Sequence, residues 1–379
     1  MQYIFTSKER ISEIKKHISE DARFRRELIE LAESYMDTPA LSVTYHKSPA
    51  ASGDIHDYFS EGPYWWPNEN DPDGPYIRRD GEFNPNVFLH HRQDLNRMSM
   101  AVSALAQAGL FLGDDKYFAK AAELMSVWFV NDETRMNPHL EYAQAIRGVC
   151  EGRGIGIIDT AMLAAVVNGA NIIDVSGKYA DIISGVKAWF REYLHWMTTS
   201  EKGLTEKAEP NNHSNWWNAQ AAAFAALVGD DEQIDECICK FKHDILHEQM
   251  ALDGSFPHEL KRTRSYSYTI YNLTACVVIC EVARVKGIDL WNFETDDGRS
   301  VRKAVEYFKP YYENVFLWGR QQIDVVASDN MESCLGEKLP MKLAALRYGD
   351  EELDKINELK RMNIIPCRET CHLGILDLI

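Results

Sequence analysis

No apolar run in this 379-residue chain approaches the ~20 residues that cross a bilayer, and the first ten residues turn charged at once. Neither a membrane span nor a signal peptide is expected. The compartment expected on that reading is the cytoplasm, or the periplasm or exterior where a leader has been removed. Positive charge is scarce: 41 Lys and Arg stand against 58 Asp and Glu, a formal net charge of -17 with no basic stripe, which excludes a nucleic-acid surface. The eight cysteines form no CxxC pair and lie mostly in apolar stretches, so they read as buried free thiols. The most metal-like fragment, Cys367 with Cys371 and His372, reads as a packing tail. No GxGxxG, no Walker lysine and no strand before the glycines of Gly152 to Gly156 leave no nucleotide loop. The absence of a fixed-motif repeat argues against a helical-repeat solenoid, and the absence of strand–helix alternation argues against an α/β fold.

What the chain does have is helical periodicity. Apolar residues recur at helical intervals over Ser7 to Met36, then again from Asp94 almost to the end, in segments of one to two dozen residues. The breaks are short and Gly- or Asp-bearing: Gly113-Asp114, Ser176-Gly177, Gly229-Asp230. Paired helices joined by tight turns are αα-hairpins, and a run of them over some 300 residues predicts an all-α fold, an (α/α) toroid or incomplete barrel of hairpins. One domain spanning 1–379 is expected, because no linker separates the last helical stretch, Leu339 to Met362, from the rest. Between about Thr38 and Pro85 the pattern gives way to a long irregular segment rich in Pro, Gly, Asp and aromatics; loops that long are usually functional.

Four polar clusters interrupt the helices. The first is Tyr64-Trp65-Trp66 with Arg78 and Arg79; aromatic faces stack on sugars and Arg forks bind carboxylates. The second carries His139, Gln144 and Arg153 as candidate ligand contacts. The third is Glu209-Pro210-Asn211-Asn212-His213-Ser214-Asn215-Trp216-Trp217, polar groups directly before an Ala-rich helix, where free N–H groups and positive potential favour an anion. The fourth, Asp253-Gly254-Ser255-Phe256-Pro257-His258-Glu259-Leu260-Lys261-Arg262-Thr263-Arg264-Ser265-Tyr266-Ser267-Tyr268, is the most basic short run and ends in two tyrosines.

Asn and His with Arg and Tyr suit proton abstraction α to a carboxylate followed by β-elimination. The C5 hydrogen of a uronate is not acidic while its carboxylate keeps its full charge, so convergent donors must neutralise that group first. Asn212, His213 and Arg262 are the candidates, with Tyr268 to remove H5 and protonate the departing 4-oxygen when both lie on one face of the ring. The chemistry calls for no metal and no cofactor. Its partner is an anionic polysaccharide or oligosaccharide, which an acidic protein approaches against net repulsion unless Arg78, Arg79, Arg92, Arg97, Arg153, Lys261, Arg262 and Arg264 make its cleft locally positive.

The motifs Gly62-Pro63-Tyr64-Trp65-Trp66-Pro67, Pro75-Tyr76-Ile77-Arg78-Arg79-Asp80-Gly81, Asn137-Pro138-His139, Asn211-Asn212-His213-Ser214 and Glu259-Leu260-Lys261-Arg262-Thr263-Arg264-Ser265 together resemble the alginate lyase superfamily of α/α-toroid polysaccharide lyases. The nearest branch is the one that includes glucuronan lyases, polysaccharide lyase family 38, and the resemblance covers roughly Asp54 to Lys286. It implies that Asn212 and His213 are the carboxylate-neutralising pair, Arg262 the assisting arginine and Tyr268 the catalytic tyrosine. Asn211 and the aromatic and basic residues above then serve substrate binding. Tyr266 departs from the family, whose members tend to carry an aliphatic residue there, so the chain holds two tyrosines near the catalytic position.

Mannuronate and glucuronate differ only at C2, and in both H5 and O4 are syn, so one tyrosine can serve as base and acid. Guluronate inverts C5, which makes His213 the better base. Two other classes compete. A glycoside hydrolase on a similar helical barrel would draw on Asp57, Glu141, Glu151 or Asp159. A non-catalytic carbohydrate-binding protein would use the same aromatic and basic residues without turnover.

Overall fold

The computed structural model describes residues 2–323 and 339–362. Cys334, Cys367, Cys371 and His372 therefore lie outside the described residues, and with them the metal-like fragment. Contacts gather the chain into two compact units, Met1–Glu206 with Ala223–Asp230, and Lys207–Ala222 with the described residues from Asp231 on.

The first unit is built from helices α1 (Lys8–Glu20), α2 (Ala22–Met36), α3 (His90–Leu112), α4 (Asp115–Met125), α5 (Leu163–Ser176), α6 (Ala180–Thr199) and α7 (Glu201–Lys207, of which Lys207 falls in the second unit). The predicted hairpins are there: α3 meets α4 through Gly113 at φ 73°, and α5 meets α6 through Gly177 in the same left-handed conformation. Helix α3 is the hub, packed on α2, α4 and α5. Two glycines allow that closeness. A Cβ on Gly109 would lie 2.5 Å from the Phe118 ring, and one on Gly169 2.7 Å from Val102. Phe129, Trp189, Phe190, Tyr193 and Phe224 form an aromatic core with ring centroids 4.8 to 5.8 Å apart.

The predicted irregular segment is mostly irregular, but it holds strands that periodicity did not reveal. β1 (Phe59–Glu61) pairs in parallel with β4 (Tyr142–Ala145), and β2 (Trp65–Trp66) pairs antiparallel with β3 (Ile77–Arg78). At two to four residues each, they are too short to show alternation. The strands are anchored by side chains: the Phe59 N–H donates to His91 Nδ1 at 3.0 Å, and the other ring nitrogen of His91 lies 3.0 Å from the His46 carbonyl.

That pair of contacts fixes His91 as the neutral Nε2–H tautomer, because Nδ1 must accept. Burial holds its pKa down at about 4, below the ordinary 6.5. Between those values the unfolded chain binds more protons than the folded one, so stability falls as pH drops from about 6.5 towards 4. The loss is roughly 3 kcal/mol at most. His91→Gln, which can accept from Phe59 and donate to His46 without titrating, is expected to flatten that limb. Urea midpoints at pH 7 and pH 5 measure it; an unchanged difference between the two pH values in the variant would assign the acid sensitivity to other groups.

The second unit contains α8 (Asn212–Val228) up to Ala222, α9 (Asp231–Lys240), α10 (Pro257–Leu260), α11 (Ser265–Ala283), α12 (Val301–Glu313), α13 (Leu339–Tyr348) and α14 (Glu351–Met362). Helix α9 runs on through a π-helical stretch, Phe241–Gln249. Helix α11 is the core, packed on α9, α12 and α13. With its terminal turn it is long and apolar enough to cross a bilayer, yet most of it is buried inside the protein, as a core helix is. Its buried acid, Glu281, accepts from Arg284, Trp291 and both Nε and Nη2 of Arg347, which ties α11 to α13. Among the described residues the cysteines are free thiols; Cys237, Cys276 and Cys280 are buried, Cys150 is half-buried and Cys239 is exposed.

Candidate active site

The third and fourth polar clusters meet in the second unit. Pro210 ends the preceding segment, and Asn211 caps α8 by accepting the His213 N–H on Oδ1 at 2.9 Å. The cap leaves Asn212 in the first turn, fully buried, and His213 half-buried. Trp216 and Trp217 follow at 0 % exposure, which makes them packing residues. The Asn212 backbone N–H donates to Glu259 Oε1 at 2.7 Å, and its Nδ2 donates to Glu259 Oε2 at 2.8 Å. Glu259 sits on the short helix α10, whose Pro257 sets the first turn. The Arg262 N–H then donates to the Glu259 carbonyl at 3.1 Å. The Arg262 guanidinium carbon lies 3.6 Å from the centre of the Tyr268 ring, and both side chains are partly exposed.

Burial raises the Glu259 pKa above its ordinary value, opposed by the two Asn212 hydrogen bonds and by the charges of Arg262 and His213. Asn212, His213 and Arg262 are thus gathered around one buried acid, with Tyr268 against Arg262. Sequence reasoning gave that acid no role. The one available signal was its place three residues before Arg262 on the same short turn.

The two tyrosines separate cleanly. Tyr266 is 4 % exposed, with its ring 4.9 Å from Phe308 and 5.3 Å from Trp318. Burial assigns it to packing rather than to ligand contact; Tyr268, two residues on, is half-buried. The start of α11 is held by a segment that sequence reasoning also missed. Ser265 donates to the Gln321 carbonyl through N–H and Oγ, Gln322 Oε1 accepts the Tyr266 N–H, and Trp318 Nε1 donates to Ser265 Oγ. Backbone turns and amide side chains make these contacts, and neither leaves a periodic trace.

The first and second polar clusters lie in the first unit. Gln144, at φ 50°, donates from Nε2 to Asp159 Oδ1 at 3.0 Å. Arg153 donates to the Gln144 carbonyl and to its Oε1, and lies 5.7 Å from the centre of the Trp65 ring. Burial lowers the Arg153 pKa. His139 stands apart, with Nε2 3.2 Å from Asp57 Oδ1. Arg78 pairs with Asp80, and Arg79 pairs with Glu69 while lying 5.2 Å from the centre of the Trp66 ring. Much of the basic charge expected of this loop is therefore balanced locally.

Three of the four carboxylates available to a hydrolase, Asp57, Glu141 and Asp159, are engaged as well, while Glu151 is exposed. Asp159 is buried and accepts from Tyr58, Ser60 and Gln144. Glu141 accepts from Trp196 and Lys202, contacts that lower its pKa against the effect of burial. Asp57 accepts from Ser52 and Asn137 besides facing His139.

The alginate lyase family profile matches residues 42–318. An alginate lyase of Pseudomonas syringae pv. tomato is 23 % identical over 206 residues, 54 % of this chain and 52 % of its own. One from Pseudomonas fluorescens is 32 % identical over 108 residues, 28 % of each chain. The match spans about half the length of the first of these curated relatives. The crystal structure of an alginate lyase from Bacteroides ovatus superposes with a TM-score of 0.86 at 32 % identity, covering 100 % of this chain and 98 % of that one. Alginate lyase A1-III from Sphingomonas species A1 matches at TM-score 0.56 and 14 % identity over 86 % and 88 % of the two chains, a likeness of fold alone. A point variant of A1-III complexed with a tetrasaccharide matches at TM-score 0.53 and 16 % identity over 72 % and 76 %. The fold class is the all-α, α/α-toroid one of these enzymes, as the helical hairpins predict.

Proposed function

Because the chain belongs to the alginate lyase family, we propose that it is a polysaccharide lyase that cleaves 4-linked polyuronates by β-elimination. The observation that carries this reading is the seating of Arg262 on the Tyr268 ring, next to the acid that holds Asn212. Arg262, Asn212 and His213 offset the charge of the uronate carboxylate. Tyr268, as phenolate, takes H5; the electron pair of that C–H bond forms the C4–C5 double bond; the bond from C4 to O4 breaks. The Tyr268 proton then passes to the leaving oxygen. A guanidinium against the ring stabilises the phenolate that the first step needs and the oxyanion that forms in the second.

The substrate is mannuronan or glucuronan, since syn elimination by a single tyrosine suits both and the two sugars differ at C2, away from the reacting bonds. The motifs that resemble the glucuronan-cleaving branch favour that narrower assignment, and the alginate lyases to which the chain is similar favour alginate. The tetrasaccharide bound by A1-III supports an oligosaccharide as ligand. Incubation with polymannuronate, polyguluronate and polyglucuronate, followed by near-UV absorbance, tests the reading. A 4,5-unsaturated product from polymannuronate or polyglucuronate is expected; a flat trace on every polymer would refute it.

A further inference from the structure

We propose that Glu259 is a positioning residue, which fixes the orientation of the Asn212 amide and thereby decides which of its polar atoms meet the substrate. The inference rests on the elimination chemistry proposed above. Glu259 is 1 % exposed, and both of its oxygens are spent on one residue: Oε1 on the Asn212 backbone N–H and Oε2 on Nδ2. A carboxylate only accepts. With the backbone N–H already facing it, the acid forces Nδ2, rather than Oδ1, to turn towards it. Asn212 is left with one Nδ2 hydrogen and with Oδ1, a fully buried oxygen that has no hydrogen-bond partner among the described residues.

The same four-residue helix sets the other carboxylate-binding group. The Arg262 N–H closes onto the Glu259 carbonyl, so the turn that aims the acid at Asn212 also starts the backbone that carries Arg262 to Tyr268. Burying a carboxylate is costly, and here its raised pKa reflects that cost. Packing alone would be served by an apolar residue. What a carboxylate adds, and what neither Leu nor Gln can supply, is two acceptors facing two donors of one residue. A glutamine offers one acceptor and one donor. It either loses one of the two bonds or reverses the amide, and in both cases the Nδ2 hydrogen left for the substrate is no longer held in place.

The test compares wild type, Glu259→Gln, Asn212→Ala and the double variant on polymannuronate and polyglucuronate, with melting temperatures alongside. Glu259→Gln is expected to lower kcat about 10- to 100-fold, the scale of outer partners that orient a binding group, with KM little changed. In the Asn212→Ala background the same substitution is expected to cost nothing further, because Glu259 acts through Asn212. An equal additional loss in the double variant, or near-normal kcat in the single one, overturns the positioning role while leaving the lyase reading intact. A wild type that yields no unsaturated product overturns both. Should Glu259→Gln melt below the assay temperature, Glu259→Asp, with two acceptors on a shorter stem, takes its place in the same ratio test.

Discussion

Tyr268→Phe is expected to abolish turnover while leaving the polymer bound. On the proposed mechanism the substitution removes one oxygen that serves twice, as the base for H5 and as the acid for O4, and general acid–base roles are each worth about 10²- to 10⁴-fold. The ring survives, and with it the surface on which Arg262 lies 3.6 Å from the centroid, so binding and folding are expected to hold. Tyr266→Phe is the control. Its ring is packed between Phe308 and Trp318, and kcat is expected to stay within about tenfold of wild type. Initial rates of chromophore formation, with a separate binding measurement on both variants, check the pair. If Tyr266→Phe were inactive and Tyr268→Phe active, the catalytic assignment would move two residues along the helix, to a side chain the fold buries.

The second large effect is expected at the carboxylate end. On the proposed mechanism Asn212→Ala and Arg262→Ala each remove a donor to charge that grows as H5 leaves, and loss of one such donor costs ~2.7–4 kcal/mol, or about 10²- to 10³-fold in kcat. The two losses are not expected to add, because both act on a single carboxylate. Arg262→Lys is expected to restore little: an ammonium keeps the charge but loses the planar fork and the flat face that lies against the Tyr268 ring. The two alanine variants differ in stability. Asn212 is fully buried against Glu259, so the substitution leaves a buried carboxylate with the backbone N–H bond but without the Nδ2 one, whereas Arg262 is partly exposed. Near-normal rates in both alanine variants would mean that the uronate carboxylate is bound elsewhere.

The helical hairpins and the grouping of Asn212, His213, Arg262 and Tyr268 were legible in the sequence for physical reasons. Hairpins announce themselves through 3.6-residue periodicity and left-handed turn glycines such as Gly113 and Gly177. The site residues stand out as polar interruptions at helix starts. What could not be read is pairing between groups distant in the chain. Nothing local shows that Glu259 faces Asn212 across 47 positions, or that Gln321 and Gln322 clamp a helix start more than fifty residues earlier. Tyr266 and Tyr268 look equivalent in Tyr-Ser-Tyr; only the helix phase, which turns one inward to Phe308 and the other outward, separates them. The loop arginines present the same difficulty. Arg78 and Arg79 read as carboxylate forks, and the sequence does not show that they pair with Asp80 and Glu69 in the fold.

The most direct test of β-elimination counts two products of the same cleavage on polymannuronate and on polyglucuronate, the near-UV chromophore and the new reducing end. Elimination by Tyr268 predicts one unsaturated chromophore for every new reducing end, and neither product from Tyr268→Phe. Reducing ends accumulating without the chromophore would contradict it and show that water, not the tyrosine, breaks the chain.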